Sequence, residues 1–169
     1  MEQQFRVMIS GGDNREHIVS AIFIANEIKS RYPNTEILFV GDEHLMEKEK
    51  VPESGYEMVS LSMVNFNQSN FFSNTLILID YLKLNKVVNK FRPDIVIGVG
   101  GYISFLLLGL ALKKNIPTLI EEQNLKTGII NKLLPKDDSN IYFYHEGFEN
   151  VFSKENIVDD IESLIRGKS

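Results

Sequence analysis

Two groups of small and polar residues have the types and spacing of a ligand site. Residues 98–102 read Gly-Val-Gly-Gly-Tyr and follow a β-branched apolar run, and residues 121–124 read Glu-Glu-Gln-Asn and follow the apolar run 118–120. Glycines let the backbone turn sharply and leave amide groups free for a ligand. Because ligands of open parallel sheets bind outside the carboxyl ends of the strands, we expect both groups to face one crevice.

The elements that must position these groups alternate between strand and helix. Apolar runs rich in β-branched residues predict strands, and apolar residues at helical spacing predict helices. This alternation predicts an α/β fold, a Rossmann-like parallel sheet with helices on both faces. A turn is predicted at 51–55, where Pro52 and Gly55 interrupt the pattern. The predicted strands are 5–9, 36–40, 57–63, 94–98, 118–120 and 141–144, and the predicted helices are 18–29, 45–50, 73–91, 103–112, 129–134 and 156–165.

Composition excludes several classes of protein. A chain of 169 residues that is 43% hydrophobic has room for one globular domain. A net charge of -5 argues against a nucleic-acid groove. The absence of cysteine excludes disulfides and thiolate chemistry, and it suits the cytoplasm. The first residues lack the pattern of a secretion signal, so secretion is not expected. The longest apolar run, 105–112, is far shorter than the roughly 20 residues of a membrane span. Any membrane contact is therefore expected to be peripheral.

A series of short motifs follows the predicted strands and helices along the chain. The motifs are Gly11-Gly12 with His17, Glu36-Ile37-Leu38-Phe39-Val40-Gly41, Val51-Pro52 with Gly55-Tyr56, Arg92-Pro93-Asp94, Gly98-x-Gly100-Gly101-Tyr102, Ile116-Pro117-Thr118, Glu122-Gln123-Asn124 and Asn131-Lys132-Leu133. In order and spacing they resemble the N-terminal domain of the MurG-type N-acetylglucosaminyltransferases of glycosyltransferase family 28, and the combination is far more specific than a single glycine loop. The resemblance covers roughly residues 5–155.

The resemblance implies one half of a GT-B fold, in which two Rossmann-like domains face each other across a cleft. In that family the C-terminal domain holds most of UDP-N-acetylglucosamine, and the N-terminal domain faces the membrane and the lipid-linked acceptor. The sugar is transferred to the 4-hydroxyl of undecaprenyl-diphosphate MurNAc-pentapeptide without a metal or other cofactor. We therefore expect residues 1–155 to form the acceptor-binding domain and residues 156–169 a helix that packs back on it, with the donor-binding domain absent. Such a chain is expected to be cytoplasmic, with peripheral contact to the inner face of the cell membrane, and inactive alone.

His17 is the catalytic candidate that the resemblance implies. The family places a histidine here, at the start of the first helix, as a base or as a group that orients the acceptor. An imidazole there could take a proton from a sugar hydroxyl near neutral pH. The alternative is an ordinary surface histidine, because a single histidine without a fixed partner is weak evidence.

The resemblance also implies a set of substrate-binding residues. For the glycine turn at 98–102, the alternative to ligand binding is a tight turn into a helix, which every βα connection needs. For the polar cluster after the last central strand, the alternative is ordinary polarity at a strand end. The set comprises Gly11, Gly12, Gly100, Gly101, Tyr102, Glu122, Gln123, Asn124 and Asn131.

The first loop departs from the family pattern. Asp13, Arg15 and Glu16 stand where the family has later glycines, and Glu121 replaces a usual histidine. The side chains crowd the approach of a diphosphate, and the carboxylates oppose it at the positive end of a helix. The loop therefore predicts a lost or altered activity, and it also lacks the fingerprint of a dinucleotide-binding enzyme.

The resemblance implies a membrane-contact patch in the region before and within the predicted helix 73–91. In the family this region carries apolar residues with flanking cations, as interfacial anchoring requires. The alternative is the core-facing stripe of an ordinary helix. The residues of this patch are Phe66, Phe71, Phe72 and Lys83.

Two functions from different classes follow. The first is the acceptor-binding half of a transferase that joins a separately encoded donor-binding domain. The second is a catalytically degenerate relative kept as a binding or regulatory protein. It would act as a homodimer that closes over the face where the donor-binding domain would otherwise dock. The altered first loop favours the second hypothesis.

Overall fold

The computed structural model describes residues 4–11, 14–43, 47–62, 72–121 and 141–144, together with Ile161 and Arg166. For 72–76 and 141–144 the description covers the backbone alone. The predicted helix 129–134 lies outside these residues.

The described strands form one parallel sheet in the order β3-β2-β1-β4-β5-β6. Their apolar, β-branched residues suit a sheet that is covered on both faces. The predicted strands are confirmed to within two residues at each end. The bounds are β1 Arg6–Ser10, β2 Glu36–Asp42, β3 Glu57–Leu61, β4 Ile95–Gly98, β5 Thr118–Glu121 and β6 Ile141–Tyr144.

Four helices connect these strands in the described part of the chain. The first begins after Asn14, whose side chain accepts a hydrogen bond from the His17 N–H at 2.9 Å, the geometry of an N-cap. In the described ranges, no helix combines the length and hydropathy that a membrane span needs. The bounds are α1 Arg15–Arg31, α2 Glu47–Glu53, α3 Phe72–Phe91 and α4 Gly101–Lys113.

The prediction of a turn at 51–55 is wrong at its start. Helix α2 continues through Pro52, and the turn begins only at Ser54. Val51 is buried in the core and holds the last helical turn in place. The Lys50 carbonyl accepts a bond from the Ser54 N–H, so the proline leaves the helix end hydrogen-bonded. The chain then reverses at Gly55, whose φ of +87° favours glycine.

The core has one layer on each face of the sheet, which confirms the predicted architecture. Successive strand residues point to opposite faces, so Val7 and Ile9 join one layer and Met8 joins the other. Helices α1 and α2 cover the first layer, and α3 and α4 cover the second. Ile161 is helical and 2% exposed, and it belongs to the first layer.

Candidate functional site

The carboxyl ends of the central strands lie side by side, as the βαβ pattern predicts. Ser10 of β1 pairs with Gly98 of β4, and Gly98 pairs with Ile120 of β5. The pairing continues one residue further, because the Val99 N–H donates to the Ser10 carbonyl at 3.2 Å. The loops after β1, β4 and β5 therefore leave the sheet at one edge, which we call the carboxyl edge.

His17 lies against the second glycine turn at this edge. A Cβ added to Gly100 would stand 2.6 Å from His17 Cε1 and 3.0 Å from each ring nitrogen. Gly100 also has a φ of +74°, and Gly101 has a φ of +84°, which other residues rarely adopt. Glycine at position 100 thus serves the backbone turn and the close approach of the imidazole together. Two residues that lie 83 positions apart in the sequence, 100 minus 17, are brought into contact.

The N-cap of α1 also bears on His17. Asn14 accepts the His17 N–H through Oδ1, and its Nδ2 lies 3.5 Å from His17 Nε2. The same side chain therefore begins the helix and stands beside the ring. Asn14 was not predicted as part of the site, although an asparagine directly before the first residue of a helix is an ordinary N-cap signal.

Gly11, at the end of β1, is buried against Glu47 of α2. A Cβ at Gly11 would lie 3.3 Å from Glu47 Cδ and 3.3 Å from Glu47 Oε1. Glu47 is only 2% exposed, and its Oε2 accepts a hydrogen bond from the Asp42 N–H at 3.0 Å. The sequence predicts a short helix over 45–50, rich in charged residues, and periodicity gives no sign that one of its acids turns inward.

Tyr102 directs its hydroxyl away from solvent and toward Asp80 of α3. The hydroxyl oxygen is buried, and Asp80 is fully buried. Burial, with a further contribution from the Asp80 carboxylate, raises the pKa of Tyr102 to about 12. A ligand at the carboxyl edge can therefore meet the ring or backbone of Tyr102, whereas its hydroxyl is engaged within the layer of α3 and α4.

Glu121 ends β5 with a second buried carboxylate. It is 5% exposed, and its Oε1 accepts a hydrogen bond from Ser20 Oγ of α1 at 2.5 Å. Ser20 lies one helical turn after His17, so this bond ties the histidine-bearing helix to β5. Ser10 and Ser104 form a comparable buried pair, with 2.5 Å between their hydroxyl oxygens.

The described part of the carboxyl edge is rich in acids. Carboxylates accept hydrogen bonds from hydroxyl and amide groups, and they oppose the approach of phosphate. No three His, Asp or Glu side chains among the described residues are arranged to hold a metal ion. The acids at or next to the edge are Glu16, Asp42, Glu43, Glu47 and Glu121.

Several predicted site residues fall outside the described ranges. They are Gly12, Glu122, Gln123, Asn124 and Asn131, and the aromatic residues Phe66 and Phe71 of the predicted membrane patch.

Helix α3 carries both a buried and an exposed apolar stripe. Leu84 and Val88 are buried against the sheet. Phe72 begins the helix, and there only its backbone is described. The Lys83 Nζ donates to the Ser62 carbonyl at 3.1 Å and lies 3.6 Å from Asp80 Oδ1. The sequence pattern assigned Ile79 and Leu82 to the same apolar run, but the exposed fractions are 56% for Leu78, 43% for Ile79 and 50% for Leu82.

The fold and this edge define a class of protein, a Rossmann-like α/β domain whose ligand edge lies at the carboxyl ends of its parallel strands. The crystal structure of Acinetobacter baumannii MurG matches 88% of this chain with a TM-score of 0.71 at 20% identity, and the match covers 43% of that protein. A UDP-GlcNAc 2-epimerase from Neisseria meningitidis, bound to UDP-GlcNAc, matches 77% of this chain with a TM-score of 0.55 at 18% identity, over 35% of its own chain. Identities this low establish likeness of fold.

Sequence comparison identifies the family. Residues 7–143 match the glycosyltransferase family 28 N-terminal domain, so the chain belongs to that family. It is 45% identical over 162 residues to the UDP-N-acetylglucosamine--N-acetylmuramyl-(pentapeptide) pyrophosphoryl-undecaprenol N-acetylglucosamine transferase of Christiangramia forsetii. It is 42% identical over 160 residues to the enzyme of the same name from Parabacteroides distasonis.

These alignments cover 94% and 92% of this chain but 44% of each relative, so the chain spans less than half of their length. The resemblance read from the motifs is confirmed.

Proposed function

We propose that this chain is the acceptor-binding half of a peptidoglycan-type N-acetylglucosaminyltransferase, with a lipid-linked sugar diphosphate as its ligand. The observation that carries the proposal is the contact between the His17 ring and the Gly100 turn at the carboxyl edge. A histidine beside a glycine turn gives a sugar hydroxyl a proton acceptor and an open approach. The relatives are named for transfer of N-acetylglucosamine to an N-acetylmuramyl-(pentapeptide) pyrophosphoryl-undecaprenol.

In this proposal His17 orients the acceptor hydroxyl and takes its proton as the hydroxyl oxygen bonds to the anomeric carbon of the nucleotide sugar. The bond from that carbon to the diphosphate breaks at the same time, and the nucleoside diphosphate leaves on the donor side of the cleft. Asn14 orients the ring, since its amide nitrogen stands 3.5 Å from His17 Nε2. A donor-binding domain like that of the longer relatives completes the cleft and holds the nucleotide sugar. The remaining predicted acceptor contacts are Gly11, Gly12, Gly100, Gly101, Tyr102, Glu122, Gln123, Asn124 and Asn131.

The exposed stripe of α3 supports a membrane-facing role for that helix. Leu78, Ile79 and Leu82 are exposed apolar residues, and Lys83 and Lys86 follow them along the helix. Apolar side chains bordered by cations are suited to the interface of an anionic bilayer. The predicted patch of Phe66, Phe71, Phe72 and Lys83 precedes and adjoins this stripe in the sequence.

We also propose that residues 156–169 form a helix that packs on the domain formed by 1–155. The support is local, because Ile161 and Arg166 are helical and the Ile161 side chain is buried in the layer that α1 covers. Burial of an isoleucine contributes roughly 1.5–3 kcal/mol to a contact of this kind.

A second candidate is a degenerate relative that binds a ligand or a second copy of itself without catalysing transfer. Glu16 lies in the first turn of α1, where a carboxylate opposes phosphate at the positive end of the helix. The negative charges of the other acids at the carboxyl edge also oppose the binding of a phosphate.

The proposed function is tested by transfer from UDP-N-acetylglucosamine to a MurNAc-pentapeptide diphosphate on a short isoprenyl chain. The assay contains this chain together with the donor-binding domain of a relative. His17→Ala should lower the transfer rate by about 10²–10⁴-fold, the usual contribution of a positioned acid or base. Val19→Ala, on the exposed side of α1, is the control and should leave the rate unchanged.

The assay also separates the two candidates. Binding of the acceptor analogue without transfer, in the presence of the donor-binding domain, would support the degenerate relative. No binding of the analogue by the unmodified chain would refute both versions of acceptor recognition.

Membrane contact is tested by co-sedimentation with anionic vesicles. Replacing Leu78 and Leu82 by serine should weaken binding by about tenfold or more, because each leucine loses its apolar transfer free energy. Val19 and Phe23 of α1 have the same four-residue spacing and are 59% and 40% exposed, so their double serine variant is the matched control. Equal losses in the two variants would argue against a specific membrane face on α3.

A further inference from the structure

Glu47 is a buried acid with no role in the proposed chemistry. It is the first residue of α2, and its side chain is almost fully enclosed. Burying a carboxylate is costly unless hydrogen bonds compensate for the lost water. The Asp42 N–H supplies one such bond to Oε2, at 3.0 Å. This carboxylate therefore has a specific place in the fold.

That place depends on two glycines at the carboxyl edge. A Cβ at Gly11 would stand 3.3 Å from the Glu47 carboxyl carbon, tighter than an ordinary contact. A Cβ at Gly41 would overlap the Glu47 carboxylate and the end of the Met58 side chain. The absence of a side chain at Gly11 and Gly41 thus leaves a recess at the ends of β1 and β2, beside the end of the Met58 side chain, and the Glu47 carboxylate fills it.

Helix α2 holds Glu47 in the recess from the other side. Val51 lies one helical turn later on the same face of α2 and is buried in the core layer that α1 covers. The valine anchors the short helix in the core, and the acid reaches from the same face to the strand ends. Glu47 therefore contacts the residue from which the loop before α1 departs.

We propose that Glu47 is a positioning residue for acceptor binding. Its carboxylate holds Gly11 against the β2–α2 turn at Asp42, and this contact keeps the start of α1 where His17 meets Gly100. The inference rests on the proposed function for the ligand, and on the contacts of Glu47 for the mechanism. Glu47 is enclosed, so it acts through the loop and not by touching the acceptor.

The first test needs no ligand and uses amide hydrogen exchange on the full chain. Glu47→Ala removes the acceptor of the Asp42 N–H and empties the recess. Exchange should accelerate by about tenfold or more at Asp42, at Gly11 and at the first turn of α1, as expected for loss of a buried hydrogen bond. Glu47→Gln keeps an acceptor oxygen and the shape, so its exchange should stay within about threefold of the unmodified chain. Glu49→Ala, an exposed acid of the same helix, is the matched control.

The second test measures the Kd of the short-chain acceptor analogue. Glu47→Ala should bind about tenfold more weakly, Glu47→Gln should fall between, and Glu49→Ala should not change. Gly41→Ala retains the acid but displaces its carboxylate, so it should reproduce Glu47→Ala in both measurements. It also provides an independent variant if Glu47→Ala does not fold.

The outcomes separate this inference from the proposed function. Faster exchange confined to Asp42, with an unchanged Kd, would mean that Glu47 only stabilises its own turn, and the inference would fail. If the unmodified chain does not bind the analogue, acceptor recognition fails, and the exchange at Gly11 and α1 alone decides whether Glu47 holds the loop.

Discussion

The two edges of the sheet use charged residues in opposite ways. At the opposite edge, where β1 and β2 begin and which we call the amino edge, Arg6 pairs with Glu36 at 3.0 Å, and both side chains are 44% exposed. At the carboxyl edge, Glu47 and Glu121 are buried and accept hydrogen bonds from Asp42 and Ser20.

Exposed ion pairs contribute little to stability, whereas a buried acid depends on every donor that faces it. The geometry of the carboxyl edge therefore depends on individual hydrogen bonds and close contacts, whereas the exposed ion pair can be lost at little cost.

Gly100→Ala should be the most damaging of these changes. The new Cβ would meet the His17 ring at 2.6 Å, and alanine would also be strained at a φ of +74°. We expect a loss of about 2–4 kcal/mol in the free energy of unfolding, measured by urea denaturation. Gly55→Ala is the control, because Gly55 has a φ of +87° but no neighbour within 4 Å of the added Cβ. Equal losses at the two positions would show that backbone strain, and not the histidine contact, dominates.

Ser20→Ala should be the next largest. It removes one hydrogen-bond donor from the buried Glu121 carboxylate, which costs about 1–3 kcal/mol. Ser30→Ala, which removes an exposed hydroxyl of the same helix, should stay within about 0.5 kcal/mol. Thermal and urea denaturation of the two variants provide the comparison. A neutral Ser20→Ala would mean that the two edges do not differ in this respect.

Glu36→Ala should have a small effect at the amino edge. The Arg6 pair is half-exposed, so its loss should cost under about 1 kcal/mol. The difference from the unmodified protein should shrink further as salt is added, because exposed charges are screened. A loss as large as that of Ser20→Ala, measured at the same ionic strength, would contradict the comparison.

The smallest effect concerns the free energy of unfolding at alkaline pH, and the ionisation of Tyr102 does not change it near neutrality. The pKa of Tyr102 is about 12 in the folded protein and 10.0 in the reference state, so the folded state binds this proton more tightly. The corresponding stabilisation is complete below pH 10 and is lost as the pH rises from 10 to 12. Tyr102→Phe should therefore flatten the fall in stability over this window. Tyr56 provides the comparison, because burial alone raises its pKa, without a contribution from Asp80. Tyr56→Phe therefore shows how much a buried tyrosine changes the pH dependence of stability when no carboxylate is involved.

Much of the fold could be predicted because its signals are local. The apolar runs of β1, β2, β4 and β5 and the periodicity of α1 and α3 each lie within a few residues of sequence. The end of α2 was missed because Val51 packs against residues far along the chain, and this packing keeps Pro52 within the helix. The exposure of Ile79 and Leu82 was missed for a related reason, since periodicity predicts an apolar stripe but not which neighbour covers it.

The candidate site divides in the same way. His17 and the glycines at 100 and 101 were found from their types and from the family resemblance, and their roles remain predictions. Glu47, Asp80 and Asn14 were not found, because an acid or amide in a helix has the same sequence pattern whether it faces water or the core. Glu47 and Asp80 contact residues of other elements, namely Asp42 and Tyr102. Asn14 contacts the helix that it caps.

Periodicity and motif spacing are properties of neighbouring residues, and they suffice to predict the succession of strands and helices, the parallel sheet and the membership of glycosyltransferase family 28. Three contacts become visible only in the folded chain: the His17 ring rests on Gly100, Glu47 fills the recess at Gly11 and Gly41, and the Tyr102 hydroxyl turns toward Asp80. Such contacts depend on how closely helices approach the strand ends, and that distance is set by packing of the whole domain.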